Sequence, residues 1–280
     1  MPPPNQPVRD LPVASATYQF VDTTRSTQTE SGVLVASTRT LPTTVWYPAD
    51  RPGPWPLIVF GHGFQIGPAP YDRLCEKWAS AGYVVASPSF PLTDQTRAGQ
   101  YLDEYDMIHQ PSDMSFLITQ LLAVSQSGAD PLAGRVDPTR VAVAGHSDGA
   151  TSALAVGYYP ATTDPRVKAV VALSADPFPT LDTATGTATL LDVHGDADSI
   201  TPFENGQKVM DQIQVHRFFL VLHGADHLPP VVGATQWTPI LDAVTTDFLD
   251  RYLAGRIAGD GTLLAQGNAQ PNLAELTARG

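Results

Sequence analysis

Cysteine is nearly absent: Cys75 stands alone among 280 residues, so no internal disulfide can brace the chain. It falls within YDRLCEKWASAG, a helix-compatible stretch where a buried, inert thiol is the expected state. Basic residues are also scarce, 16 against 28 acidic ones, for a formal charge of -12. That balance argues against nucleic acid and anionic membrane as partners, because both require clustered Lys and Arg. No run reaches the roughly eighteen consecutive apolar residues of a membrane span, and the N-terminus lacks the charged-then-apolar order of a signal peptide. The Pro-rich start reads as the mature end left by a removed export signal rather than as a cytoplasmic N-terminus. Metal signatures are missing as well. HGDAD and HGADH match no HExxH, paired-cysteine or EF-hand pattern, and no phosphate-binding glycine motif occurs. The expected chemistry therefore needs no cofactor and no metal.

What is present is a hydrophobic content of 42%, enough for a sizeable core, without an internal repeat or a linker. Residues 1–16, rich in proline and small side chains, read as a loose N-terminal arm, and 257–280, rich in Gly, Ala, Asn and Gln, as a C-terminal tail. Between them, 17–256 reads as one α/β domain, expected to be monomeric. Residues 17–48 carry β-branched and aromatic residues with turn signals, which predicts an antiparallel region. From residue 56 the pattern changes to short apolar runs alternating with helix-length segments. The runs PLIVFGHG, YVVASPS, RVAVAGHS, VKAVVALSA, TATLLDVHG and RFFLVLHG predict strands buried on both faces of a mostly parallel sheet. Helices are predicted near 69–81, 112–125, 149 onward, 204–213 and 236–253, on both faces of that sheet. Ligands bind beyond the carboxyl ends of such strands, so the strand-terminal residues are the functional candidates.

One of those ends reads Gly145-His146-Ser147-Asp148-Gly149, a G-x-S-x-G between an apolar run and a helix-compatible segment. A tight strand-to-helix turn there leaves the serine on a strained backbone, with glycines where a Cβ would clash. Serine is a weak nucleophile and needs a base held in place by a third group. In sheets of this kind the partners follow in the order Ser, Asp or Glu, His. Asp196 and Asp198 compete for the acidic role after one strand, His223 and His227 for the base after the next. Asp198 and His227 lie farther past their strand ends, whereas Asp196 and His223 suit loop bracing.

An oxyanion needs backbone N–H donors, expected from Phe64 in FGHGF and from Asp148 at the helix start. His62, between the glycines, is expected to support its loop, and His146 and His194 have similar structural readings. Phe64, Phe178 and Ile200 are the candidate substrate-binding side chains. The polar segment 92–110 reads as a rim, with Asp103, Glu104 and Asp106 as a solvated face.

Taken together, GHG-F, GHSDG, HGDAD-SITP and GADH resemble the α/β-hydrolase superfamily over roughly residues 40–253. Within it the chain is most similar to dienelactone-hydrolase-like, chlorophyllase-like and platelet-activating-factor-acetylhydrolase-like esterases and to cutinase-type polyesterases. The resemblance implies an α/β-hydrolase fold with no large cap domain, a catalytic Ser147, Asp198 and His227, and an oxyanion hole from Phe64 and Asp148. It implies a serine carboxylic-ester hydrolase acting on a small ester or, alternatively, on a polyester such as poly(ethylene terephthalate). Asp148 stands where polyesterases usually carry methionine, and no tryptophan occurs around Asp176 to Phe178. A serine peptidase and a noncatalytic binding protein of the same fold are the further alternatives.

Overall fold

The computed structural model describes residues 7–177 and 185–280. Among them the strands are β1 (Val13–Asp22), β2 (Thr27–Gln28), β3 (Leu34–Ala36), β4 (Arg39–Pro48), β5 (Trp55–Gly61), β6 (Val84–Pro88), β7 (Val136–His146), β8 (Val167–Leu173), β9 (Thr189–Gly195), β10 (Arg217–Leu222) and β11 (Ala274–Arg279). The helices are α1 (Asp72–Ser80), α2 (Gln95–Ala98), α3 (Gln110–Gln126), α4 (Asp148–Tyr158), α5 (Phe203–Gln212), α6 (Thr238–Tyr252) and α7 (Gly261–Gly267). Nine strands form one sheet in the order β1-β4-β6-β5-β7-β8-β9-β10-β11. The six from β6 to β10 in that order run parallel, flanked by antiparallel β4 and β1 at one edge and β11 at the other. With helices against both faces, this is the α/β-hydrolase architecture.

The apolar runs are continuous because both faces of the central strands are covered, and the period of two decides which residue faces which layer. Leu57 and Val59 of β5 join Val141 and Val143 of β7 in a core with α3, α4 and α5. Ile58 and Phe60 join Ala142 and Ala144 in a second core with α1, α6 and α7. The carboxyl ends of β5, β7, β9 and β10 share one edge, which gathers the loops beginning at His62, Ser147, Asp196 and His223.

Three expectations are corrected. Residues 7–16 do not form a loose arm. Val13 opens β1, which pairs with β4 from Val13↔Pro48 to Asp22↔Arg39, and Arg9 makes ion pairs with Asp247 (2.7 Å) and Asp250 (2.5 Å). Backbone pairing and charge fix a segment whose side chains offer little bulk. Nor is 257–280 simply a tail. It holds α7 and the edge strand β11, with Leu263 and Leu276 buried. An edge strand covers one face only, so AELTAR looks polar by composition while Ala274 and Leu276 alternate inward. In the rim segment, Asp106 is 1% exposed, not solvated. The guanidinium of Arg39 sits between Asp106 and Asp113, giving the Asp106 carboxylate two hydrogen bonds of 2.7 and 2.9 Å. A buried carboxylate is tolerated where a planar cation of this kind satisfies it.

Candidate active site

Strand β7 ends at His146 and helix α4 starts at Asp148, so Ser147 alone makes the turn, at φ 56° and ψ -125°. A non-glycine residue in this region carries strain on the order of 1–3 kcal/mol, held here by the surrounding packing. The Ser147 N–H donates to the Leu173 carbonyl at 2.9 Å, tying the turn to the next strand. The flanking glycines serve close approach. A Cβ on Gly149 would stand 2.2 Å from the Gly61 carbonyl oxygen, and one on Gly145 would meet Gly149 backbone at 2.2 Å. Helix α4 therefore lies directly on the ends of β5 and β7. Its first residue, Asp148, has no intrahelical acceptor for its N–H, which leaves that donor at the turn.

The loops after β9 and β10 bring the acidic and basic candidates together. His227 Nδ1 lies 2.8 Å and 3.1 Å from the two oxygens of Asp198, and both residues are buried. A carboxylate can only accept, so Nδ1 carries the proton and Nε2 is the basic nitrogen. Asp198 also accepts from the N–H groups of Ile200 (3.0 Å) and Thr201 (2.8 Å). Burial alone would raise this carboxyl, but His227 and those two backbone donors outweigh it and bring it to about 2. The other pair turns to itself: His223 Nδ1 donates to Asp196 at 2.9 Å, and Gly224 N–H adds 2.6 Å, on the exposed side of the same loops. Asp226, the aspartate of GADH to which the sequence assigned no role, accepts from the Ser199 N–H, the Ser199 hydroxyl and the His227 N–H and so joins the Asp198 loop to the His227 loop. His194 donates through Nε2 to the Thr201 carbonyl at 2.9 Å.

Near Ser147, His62 and His146 are both buried. His62 Nδ1 bonds the Gly63 carbonyl at 2.8 Å, and its Nε2 accepts from the Phe90 N–H at 3.0 Å. His146 Nε2 bonds the His227 carbonyl at 3.0 Å, and its Nδ1 bonds the Tyr71 hydroxyl at 2.8 Å. Tyr71 in turn accepts from the Gly63 N–H at 3.3 Å. Burial, then the nearby His227, pushes the His146 imidazole down to about 3, and burial likewise lowers His62. Tyr71 was not readable as a site residue, since it lies 76 positions before Ser147 in an unremarkable helix-start segment.

These loops enclose a cleft of about 420 Å³ lined by Ser147, Asp148, His146 and His227 together with Phe64 and Ile200. Gly63, Gln65, Ile66, Glu104 and Leu228 complete its wall. Glu104 is exposed, as expected, and stands at the rim of the cleft, on the 3-10 turn Glu104–His109 that Asp106 anchors. Phe178 lies outside the described residues. Burial, reinforced by Glu104 and Asp176 and opposed by His227, pushes the Asp148 carboxyl up to about 7, and its Oδ2 is buried without a hydrogen-bond partner. Among the described residues, no lysine or arginine lines the cleft. A second cavity of about 450 Å³, between α1 and α6 beside Arg9, Lys77 and Asp242, contains none of these groups. Among the described residues, no group of three or more His, Cys, Asp or Glu is arranged to hold a metal ion, and no helix is long and apolar enough to cross a membrane.

A search of curated proteins gives no match to the chain. A profile of the chlorophyllase family matches residues 19–189, more than half of the chain. The matched span contains the Gly61–Phe64 loop and the Ser147 turn, while Asp198 and His227 lie beyond it. With this match on top of the sheet order and the strained serine turn, the chain belongs to the chlorophyllase family of α/β-hydrolases, an esterase family.

Proposed function

We propose that this protein is a serine carboxylic-ester hydrolase in which Ser147 is the nucleophile, His227 the general base and Asp198 the group that orients the base. The observation that carries the reading is the buried His227–Asp198 hydrogen bond, at 2.8 Å, in a cleft that His227 shares with a serine held at φ 56°. His227 Nε2 takes the Ser147 proton as Oγ attacks the ester carbonyl. The N–H groups of Phe64 and Asp148 receive the developing oxyanion, each contributing on the order of 3 kcal/mol to the transition state. His227 then protonates the leaving alcohol, and the same imidazole activates the water that releases the acid from Ser147. Asp198, held at about 2, stays ionised throughout and stabilises the imidazolium.

Ile200 (66% exposed) and Leu228 (39%) stand at the mouth, and this apolar rim favours a second reading on the same chemistry, a bulky or polymeric ester. The test is hydrolysis of p-nitrophenyl esters from acetate to palmitate beside an amorphous polyester film. Ser147→Ala should abolish turnover while leaving the fold intact. Asp198→Asn should lower kcat by roughly 10³–10⁴-fold, whereas Asp196→Asn should remain near wild type. Substantial turnover by Ser147→Ala, or the reverse order of the two aspartates, would sink the assignment. Soluble acids released from the film would favour the polymer reading, and failure of Ser147 to react with a fluorophosphonate would favour a binding protein.

A further inference from the structure

We infer that His62, Tyr71 and His146 are positioning residues that clamp the Gly63 peptide from both ends and so aim the Phe64 N–H at the reacting carbonyl. The inference rests on the proposed esterase reading and adds three residues to it.

The proton positions in this network are fixed by its partners. A carbonyl oxygen only accepts, so His62 Nδ1 must donate to Gly63 and His146 Nε2 must donate to His227. A backbone N–H only donates, so His62 Nε2 is bare where Phe90 reaches it. With His146 neutral, its Nδ1 accepts the Tyr71 hydroxyl proton, and the Tyr71 oxygen is free to accept from Gly63. Every donor in this set has an acceptor. The lowered basicity of both buried imidazoles agrees with neutral rings.

The consequence lies in peptide geometry. The Gly63 carbonyl and the Phe64 N–H belong to one planar trans peptide, so they point in opposite directions. Fixing the carbonyl through His62 therefore fixes the N–H of Phe64. Tyr71 holds the preceding N–H and stops the strand-end loop from rotating about Gly63. A Cβ at Gly63 would stand 3.1 Å from the Ser147 Cβ and 3.2 Å from the Tyr71 hydroxyl, so glycine is what lets the clamp close around the nucleophile. Through His146 the same chain reaches the backbone of His227. Donor loop, nucleophile turn and base loop are thereby held in one frame. Such preorganisation matters because a misplacement of about 1 Å in a catalytic group can cost on the order of 10²-fold in rate.

The test compares an ester with its thionoester analogue, in which sulfur replaces the carbonyl oxygen and gains less from the N–H donors. Tyr71→Phe removes one oxygen atom from the network. We expect kcat on the ester to fall about tenfold, with KM changed less than about twofold. Thionoester turnover should fall much less, so the ester-to-thionoester ratio drops, while the pH inflection of the base is unmoved. His62→Asn, whose side-chain amide N–H can replace Nδ1, should keep the ratio near wild type, and His62→Ala should lower it. If Tyr71→Phe lowers both substrates equally, or neither, with Ser147→Ala inactive, the clamp is wrong and the esterase reading stands. Because Tyr71→Phe is nearly isosteric, it decides the matter even if His62→Ala does not fold. Retained turnover in Ser147→Ala would overturn both.

Discussion

Asp148 is the residue whose electrostatics bear most directly on how the cleft responds to pH. Its carboxyl is pushed up to about 7 by burial first and by Glu104 and Asp176 next. The sign follows. Below pH 7 the group is neutral, and above it a negative charge stands next to Ser147, where on the proposed mechanism it opposes the developing oxyanion. Asp148→Asn removes that titration but keeps the backbone donor. The variant should therefore exceed wild type in kcat on a neutral ester above pH 8, by roughly threefold to tenfold, and match it near pH 6. A pH–rate profile of the two proteins checks this, and identical alkaline limbs would refute it. At this scale the places of Ser147, Asp198 and His227 after the ends of β7, β9 and β10 were legible in the sequence, because apolar runs mark the strands that precede them. The part of Asp226 was not, because a carboxylate in a polar loop looks the same whether it faces solvent or a neighbouring loop.

At the level of elements, the 3-10 turn Glu104–His109 owes its place to one buried cation. Arg39, 1% exposed on β4, binds Asp106 of that turn and Asp113 of α3, and Arg25 reaches Asp113 as well at 2.8 Å. Removing one partner of such a cluster leaves the others buried and uncompensated, which costs about 3–5 kcal/mol. Arg39→Met should lose stability of that order in a denaturant melt. It should also raise KM, since Glu104 reaches the cleft through the same turn. An unchanged KM in the folded variant would show that the turn holds its position without Arg39. The parallel strands and their helices were predictable here, because double-sided burial writes continuous apolar runs into the sequence. The 3-10 turn was not, since its cause is a side chain 67 residues away.

Across the whole molecule, stability depends on both ends of the chain reaching the sheet. The antiparallel pairing of β11 with β10 closes one edge, and Leu263, Ala274 and Leu276 are buried beneath it. Ending the chain at Gly259 would expose the β10 edge and uncover that apolar surface, a template for association between chains. The truncated protein should show a lowered melting temperature and soluble aggregates by size exclusion, and a monomer of wild-type stability would contradict this. The sequence by itself determined the α/β-hydrolase class, the run of parallel strands and the serine turn. Each of these is set by local patterns: apolar period, glycine spacing and the order of polar residues after strands. Only the tertiary structure decided that the terminal segments complete the sheet, that Arg39 holds two buried carboxylates, and that Tyr71 meets Gly63 and His146. Those contacts join residues far apart in the chain, and their energy comes from shared burial and hydrogen bonding, which leave no periodic trace in the sequence.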